Sequence, residues 1–392
     1  MESKLKKITY ELSDINVVQS PYSEVKHRGE CDPYTTLCGR EVYPIIVSPM
    51  GAVTDENNYK VWLDNKFACV IPRTVNLETR LKLMTETFVS FSLDEAENLL
   101  FSSIDKYSGK FYYVCIDIAQ GTMARLYEVC KQLKNLYEET IEIMTGNIAT
   151  PDAYVYYMDA GIDYVRCFIG TGSRCTTGAN VSIGYGRASL LDELRMIKEN
   201  LEGRYEDKKL PKIVADGGIS NFDDIQKCLA LGADFVMCGN VFARAEEACG
   251  EIVYLHPDNP TMADAIPKSI YDTKVKSLEE SIERHSENRL KYESLLSYEL
   301  SSLASLKRRV PYREYMGMST KAMQKATGGT GNTTAEGISR PIAVEYPIAK
   351  WAENMDAYLR SAMSYTGSFN LNEFRNNAEI IINYSGDKAF RK

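Results

Sequence analysis

Three observations predict an α/β chain folded as a (β/α)8 TIM barrel. Eight short runs rich in apolar and β-branched residues recur between residues 45 and 239, the signature of strands buried on both faces. Segments with apolar residues three and four apart lie between them, as amphipathic helices require. All but one of the runs carry Gly, Pro, Asn or Asp within their last three residues, types that turn a chain out of a strand. Strands alternating with helices imply a parallel sheet, and eight such units in this length fit a closed barrel better than an open doubly wound sheet.

The first run is "IIVSPM" (45–50), followed by the amphipathic "DENNYKVWLDNK". The second and third are "ACVIPR" (68–73) and "TFVSFS" (87–92). The fourth, "YYVCIDIA" (112–119), leads into "TMARLYEVCKQLKNLYEE", and the fifth, "IEIMTGNI" (141–148), into "TPDAYVYYMDAG". The sixth is "YVRCFIG" (164–170). The seventh, "KIVADGG" (212–218), precedes the helical "NFDDIQKCLALGA", and "DFVMCG" (234–239) is the eighth. In such a barrel the C-terminal strand ends build the active site.

Composition narrows the function. The 392 residues carry a formal net charge of −8 and a pI near 5.3, which argues against a nucleic-acid surface, since that needs a basic stripe. A small anionic substrate remains open. No apolar run approaches a membrane helix in length, and the lysines of "MESKLKKITYELSD" precede no apolar core, so a signal peptide is not expected and a cytoplasmic location is. None of the ten cysteines forms a C-x-x-C pair, and His27, His256 and His285 lie far from any ligand-like cluster, so zinc is not expected. Cys115, Cys167 and Cys238 sit inside strand-like runs, as small core hydrophobes.

Cys175 differs, because "GTGSRCTT" (170–177) follows such a run instead of lying within it. Two readings compete for it: an anion-binding loop with an incidental cysteine, or a nucleophile beside a phosphate site. "ADGGIS" (215–220) and "CGNVFA" (238–243) close the seventh and eighth runs with glycines that let backbone N–H groups approach an oxyanion. Loops after the last two strands of many barrels hold phosphate. Asp216 is placed to accept hydrogen bonds from ribose hydroxyls, or else to cap a helix.

The set "GNIAT", "VRCFIGTGSRCTT", "IVADGGISNFDDIQKCLALGADFVMCGNVFA" and "YREYMGMSTKAMQ", in this order, resembles the IMP dehydrogenase / GMP reductase family over roughly residues 8–255 and 310–370. The resemblance implies a barrel whose loop cysteine attacks C2 of a purine nucleoside monophosphate, with hydride transfer at the same carbon. It makes Cys175 the nucleophile, gives the 5′-phosphate to Ser173, Gly218, Gly239 and Asn240, and gives the ribose to Asp216 beside Gly217. Met318 and Ser319 would meet the purine edge, and Asp117 and Asn147 the nicotinamide side. Thr177 and Glu336 match the groups that handle the proton of water or ammonia. Arg73 stands where the reductases carry a catalytic lysine. Carbonyls of Gly170, Gly172 and Cys175 match a loop that binds potassium or another monovalent cation.

Between the two reactions, the sequence favours GMP reductase: NADPH-dependent reductive deamination of GMP to IMP and ammonia. The dehydrogenases usually insert regulatory CBS domains near the second or third barrel unit, and residues 74–111 are too few for them. "ATGGTGNTTAEG" (326–337) also lacks the Arg-Tyr pair that activates water in the dehydrogenase flap. IMP dehydrogenase, with NAD, and a non-catalytic purine nucleotide-binding barrel are the alternatives. Departures from the family pattern are Gly51 for an aspartate, Pro72 for a histidine, and Thr333-Thr334 for Tyr-Arg.

The expected organisation is one catalytic barrel formed by residues 1–255 and 310–392, including a flap and C-terminal helix, with a helical insertion at 256–309. In the insertion, Val275, Leu278 and Ile282, then Tyr292, Leu295, Leu296, Leu300, Leu303 and Leu306, fall at helical spacing. A hairpin packed on the barrel and a partner-binding element both satisfy that pattern. The resemblance implies a homotetramer, while the acidic charge and the short apolar runs predict no nucleic-acid or membrane partner.

Overall fold

The computed structural model describes residues 7–100, 111–171, 181–205, 208–258, 260–287, 289–316, 320 and 339–383. Eight parallel strands close a barrel. They are β1 (Ile45–Val47), β2 (Ala68–Ile71), β3 (Phe88–Phe91), β4 (Tyr112–Asp117), β5 (Ile141–Ile148), β6 (Tyr164–Cys167), β7 (Lys212–Asp216) and β8 (Phe235–Cys238). Neighbours in sequence are neighbours in the barrel, and β8 returns to pair with β1. Each strand lies in its expected run. Every run but the fifth overshoots its strand at the C-terminal end.

Alternate side chains of a strand face opposite ways, and this sorts the core into two layers. Ile46, Val70, Phe88, Cys115, Met144, Tyr164, Val214 and Met237 point inward and fill the barrel. Leu37 and Val42, from the hairpin Thr35–Leu37/Arg40–Val42, join the same cluster and plug its N-terminal end. The intervening Val47, Cys69, Val89, Ile116, Ile143, Val165, Ile213 and Val236 belong to the outer layer, under the helices.

Those helices are α1 (Tyr59–Asp64), α2 (Leu77–Leu83), α3 (Ala124–Tyr137), α4 (Ala153–Asp159), α5 (Arg187–Glu202) and α6 (Phe222–Ala230). In α3 the buried residues are Leu126, Val129, Cys130, Leu133 and Tyr137, one stripe at helical spacing. Asn76 and Asn221 start α2 and α6 by accepting from the backbone N–H of Thr79 and Asp224. The buried Arg80 of α2 pairs with both oxygens of Glu95, at 3.1 and 2.6 Å, and donates to the carbonyls of Val75 and Ser90. Burying that charge is tolerable because every contact is a charge-assisted hydrogen bond.

After β8 the chain builds an antiparallel sheet from β9 (Val253–Leu255), β10 (Ile266–Pro267), β11 (Val310–Met316) and β12 (Ser339–Ala343), in the order β10-β9-β11-β12. Between β10 and β11 rise two helices, α7 (Lys268–Ser286) and α8 (Arg289–Lys307). Their contacts run in opposite senses: Tyr271 bonds the carbonyl of Leu306, Lys307 pairs with Glu279, and Glu299 meets Ser281 and His285. Tyr254 of β9 stacks on Tyr271 with ring centroids 3.6 Å apart, fixing the root of the pair.

The apolar stripe of this hairpin is narrower than its sequence implies. Tyr292, Leu296, Glu299, Leu303 and Leu306 follow a 4-3-4-3 spacing and line the seam, whereas Leu295 and Leu300 are 43% and 50% exposed. The seam position between Leu296 and Leu303 is thus held by the buried carboxylate of Glu299, bonded to Ser281 at 2.7 Å and His285 at 2.9 Å. A last helix, α9 (Ile348–Tyr365), buries Ile348, Trp351, Met355, Leu359 and Met363. The strands Ile15–Val18 and Glu379–Ile382 then pair the two ends of the described chain. Among the described residues no helix is long and apolar enough to cross a membrane.

Candidate active site

The two-residue period of the strands carries on above the apolar interior and puts charge into the barrel mouth. Asp117 stands two residues after Cys115 on β4, Arg166 two after Tyr164 on β6, and Asp216 two after Val214 on β7. A charge facing the barrel axis must be paired, and these three pair with each other. Arg166, 5% exposed, donates from Nη1 to Asp117 Oδ1 at 2.6 Å, and from Nε and Nη2 to Asp216 Oδ2 at 2.9 and 2.7 Å. Nη1 also reaches Cys115 Sγ at 3.6 Å. Arg166 was not among the residues expected at the site. Its signal was present, since it is the one charged residue in "YVRC" and shares the inward parity of Tyr164.

Asn147, from β5, joins the same group. Its Nδ2 donates to Asp216 Oδ2 at 3.0 Å and to the carbonyl of Phe168 at 3.0 Å, while its backbone N–H bonds the carbonyl of Ile118. Gly146 allows this approach, because a Cβ there would stand 2.6 Å from the Cβ of Arg166. The expected cofactor residues Asp117 and Asn147 and the expected ribose residue Asp216 are therefore brought together. Among the described residues no donor reaches Asp216 Oδ1, Asp117 Oδ2 or Asn147 Oδ1. Three acceptor oxygens, each oriented through its partner atom, line the mouth.

The electrostatics follow from the burial. Burial raises the carboxyl pKa of Asp117, but Arg166 and then Arg73 outweigh it and hold the group below the usual carboxylate range. Burial alone would weaken the charge of Arg166, yet Asp216 and Asp117 hold its proton more tightly than in a free arginine. Arg73 follows β2. Its buried Nε finds no hydrogen-bond partner among the described residues.

The glycine turns frame the other side. Gly217 and Gly218, directly after Asp216, have φ of 136° and 70°, a region that disfavours side chains. A Cβ on Gly218 would also meet Arg187 Nη1 at 2.9 Å, the atom that bonds the Gly218 carbonyl. At the end of β8, a Cβ on Gly239 would meet Met50 Sδ at 2.7 Å and Tyr315 Oη at 2.8 Å. Tyr315, buried on β11, donates to Met50 Sδ at 3.2 Å. The antiparallel sheet is thereby docked onto the barrel mouth beside Gly239 and Asn240, the latter opening the short helix Asn240–Ala243. Gly51 and Thr74, after β1 and β2, line a cavity of about 320 Å³ with Val253 and Glu314 of this sheet.

Of the remaining expected residues, Gly170 follows β6 with φ of 76°. Gly172, Ser173, Cys175, Thr177, Met318, Ser319 and Glu336 lie outside the described residues. Among the described residues no group of three His, Cys, Asp or Glu side chains is placed to hold a metal ion.

Comparison with known proteins places the same segment in context. Residues 106–261 match the model of the IMP dehydrogenase / GMP reductase domain. The chain is 34% identical over 172 residues to a GMP reductase of Vibrio atlanticus, covering 44% of this chain and 47% of that protein. It is 27% identical over 340 residues to a GMP reductase of Buchnera aphidicola, covering 86% and 77%. An inosine-5′-monophosphate dehydrogenase of Chlorobaculum parvum is 29% identical over 268 residues, covering 68% and 44%. The match to the Vibrio protein thus spans about half of that relative's length.

Proposed function

Because the chain belongs to the IMP dehydrogenase / GMP reductase family, we propose that its barrel mouth reduces GMP to IMP and ammonia with NADPH. One observation carries this reading to the mouth: Asp117, Asn147 and Asp216 are gathered around Arg166, each with an acceptor oxygen that no donor among the described residues reaches. Sugar hydroxyls are donors, and a nucleotide with a nicotinamide nucleotide beside it brings such donors from two sides. The turn at Gly217 and Gly218 and the close-packed Gly239 supply backbone without side chains where a phosphate would lie.

The roles then divide. Asp216 Oδ1 receives the substrate ribose, and the loop glycines with Ser173 and Asn240 hold its phosphate. Cys175, as thiolate, forms a bond to purine C2 while the C2–N bond of the amino group breaks. Thr177 and Glu336 deliver the proton that lets ammonia leave, and Met318 and Ser319 hold the purine edge. Asp117 Oδ2 and the Nε of Arg73, which meets no acceptor among the described residues, fit a nicotinamide nucleotide, which when bound supplies the hydride. As C2 accepts the hydride, the C2–S bond breaks and Cys175 leaves as thiolate, giving IMP. A monovalent cation on carbonyls of Gly170, Gly172 and Cys175, a cytoplasmic setting and a tetramer accompany this reading.

Two features favour reduction of GMP over oxidation of IMP. The similarity to the Buchnera reductase runs through most of both chains, whereas the Chlorobaculum dehydrogenase is covered over 44% of its length. Only residues 92–111 separate β3 from β4, too few for an inserted regulatory pair of domains. The test is to supply GMP with NADPH and, separately, IMP with NAD, and to follow the absorbance of the reduced cofactor. Loss of NADPH with GMP is expected. Steady NADH formation from IMP contradicts the reading, and nucleotide binding without either signal leaves a non-catalytic barrel.

A further inference from the structure

The geometry points to Arg166 as a positioning residue that links the cofactor-side Asp117 to the substrate-side Asp216, so that a change at one carboxylate is felt at the other. This rests on the reading of the mouth given above.

Four N–H bonds of the guanidinium are committed: one from Nε and one from Nη2 to Asp216 Oδ2, and two from Nη1, to Asp117 Oδ1 and Cys115 Sγ. A planar group held on three sides cannot rotate to favour one carboxylate without loosening the other. Asp216 Oδ2 takes a third bond from Asn147, so its carboxylate plane is fixed and Oδ1 points where Arg166 and Asn147 set it. Asp117 has only the Arg166 contact among its described hydrogen bonds, so its direction depends on the same group. Neutralising Asp117 removes one of the two anions facing the guanidinium. The cation then leans on Asp216 alone and draws electron density from the oxygen offered to the ribose.

A purely structural brace would cost stability and nothing else, so the decisive readout is GMP affinity without cofactor. Calorimetric titration with GMP alone compares wild type with Asp117→Asn, Arg166→Gln, Arg166→Lys and the Asp117→Asn/Arg166→Gln double variant, each first checked for folding by circular dichroism. Asp117→Asn is expected to weaken GMP binding at least about fivefold, the lower range of coupling between sites, although Asp117 lies on the cofactor side. Arg166→Gln weakens it as much or more, Arg166→Lys recovers part of the loss, and the double variant binds no worse than Arg166→Gln alone. Unchanged GMP affinity in Asp117→Asn, or losses that simply add in the double variant, overturns the proposal. Should Arg166→Gln not fold, Asp117→Asn measured with and without Arg166→Lys decides the question by the same criterion. Wild-type protein that binds no GMP overturns the reading of the mouth, and this proposal with it. Tight GMP binding that is indifferent to all the variants overturns only the role of Arg166.

Discussion

Arg166 and Asp216 meet through two donors on one oxygen: Nε and Nη2 both reach Oδ2, at 2.9 and 2.7 Å. Among the described residues no donor reaches the other carboxylate oxygen, in the mouth of the barrel. A contact of this kind buries charge, serves the fold, and still leaves a group for chemistry. Removing one partner of a buried pair costs about 3–5 kcal/mol where it strands the other charge, and Arg166 keeps Asp117 as its second anion, which puts the loss at or below that range. Asp216→Ala is therefore expected to lower stability by up to that amount, measured by urea unfolding, and to lose nucleotide binding as well.

The pH dependence of stability follows from Asp117. Its folded pKa lies below the ordinary 3.8, set by Arg166 and Arg73 against the opposing effect of burial. A depressed carboxyl contributes stability that is fully present above the unfolded pKa and disappears as pH falls through the folded one. Urea midpoints of wild type and Asp117→Asn, compared from about pH 6 down to about pH 3, should converge as the acid range is entered. A gap that stays constant across that range contradicts the assignment.

Gly146 makes room for Arg166. A methyl group there would stand 2.6 Å from the Arg166 Cβ, and overpacking of this kind costs about 1–3 kcal/mol. Gly146→Ala should shift the thermal midpoint down and weaken GMP binding together, because the group it displaces orients Asp216. Calorimetry and melting curves on one preparation check both. Weaker stability with unaltered GMP affinity would separate the two effects.

The cysteines predict a selective labelling pattern. Nine of the ten are described and free. Burial pushes every one of these thiols above the ordinary range, Cys69 and Cys115 to about 12. Thiolates, not thiols, react. Near neutral pH iodoacetamide should therefore add once, at Cys175, and GMP should slow the addition, as read by peptide mass spectrometry. Equal labelling of Cys175→Ala counts against Cys175 as the nucleophile.

The helical pair α7 and α8 is rooted on one edge of the antiparallel sheet. Leu255 and Val310 are direct partners across β9 and β11, so the ends of the excursion lie side by side. Deleting residues 259–306 behind a short Gly-Ser bridge should leave a folded barrel with the same reaction, while removing the exposed Leu290, Leu295, Tyr298 and Leu300. A folded deletion variant that binds GMP and does not turn over would give the hairpin a part in catalysis.

Most of the barrel was legible in the sequence because its strands are buried on both faces, which leaves unbroken runs such as "IIV" and "FVMC" ending at glycine or proline. The site was legible where backbone chemistry restricts the residue: Gly217, Gly218 and Gly239 occupy positions that a side chain would block. Arg166 is hard to read from sequence because an apolar run announces a strand without announcing which of its residues face the barrel axis. Leu295 and Leu300 fall at helical spacing yet stay exposed, because α8 is apolar on more than one side and spacing alone does not say which side finds a neighbour. That Glu299 occupies the seam depends on Ser281 and His285 across it, a pairing across two helices that no local pattern encodes.

The central claim is that purine C2 receives a hydride in this mouth. The most direct measurement supplies GMP with NADPH carrying deuterium at the transferred position and weighs the purine product by mass spectrometry. The account predicts IMP one mass unit heavier, with deuterium on C2, and one ammonia released for each NADPH consumed. IMP without the label, or XMP formed steadily from IMP and NAD by the same protein, would contradict it.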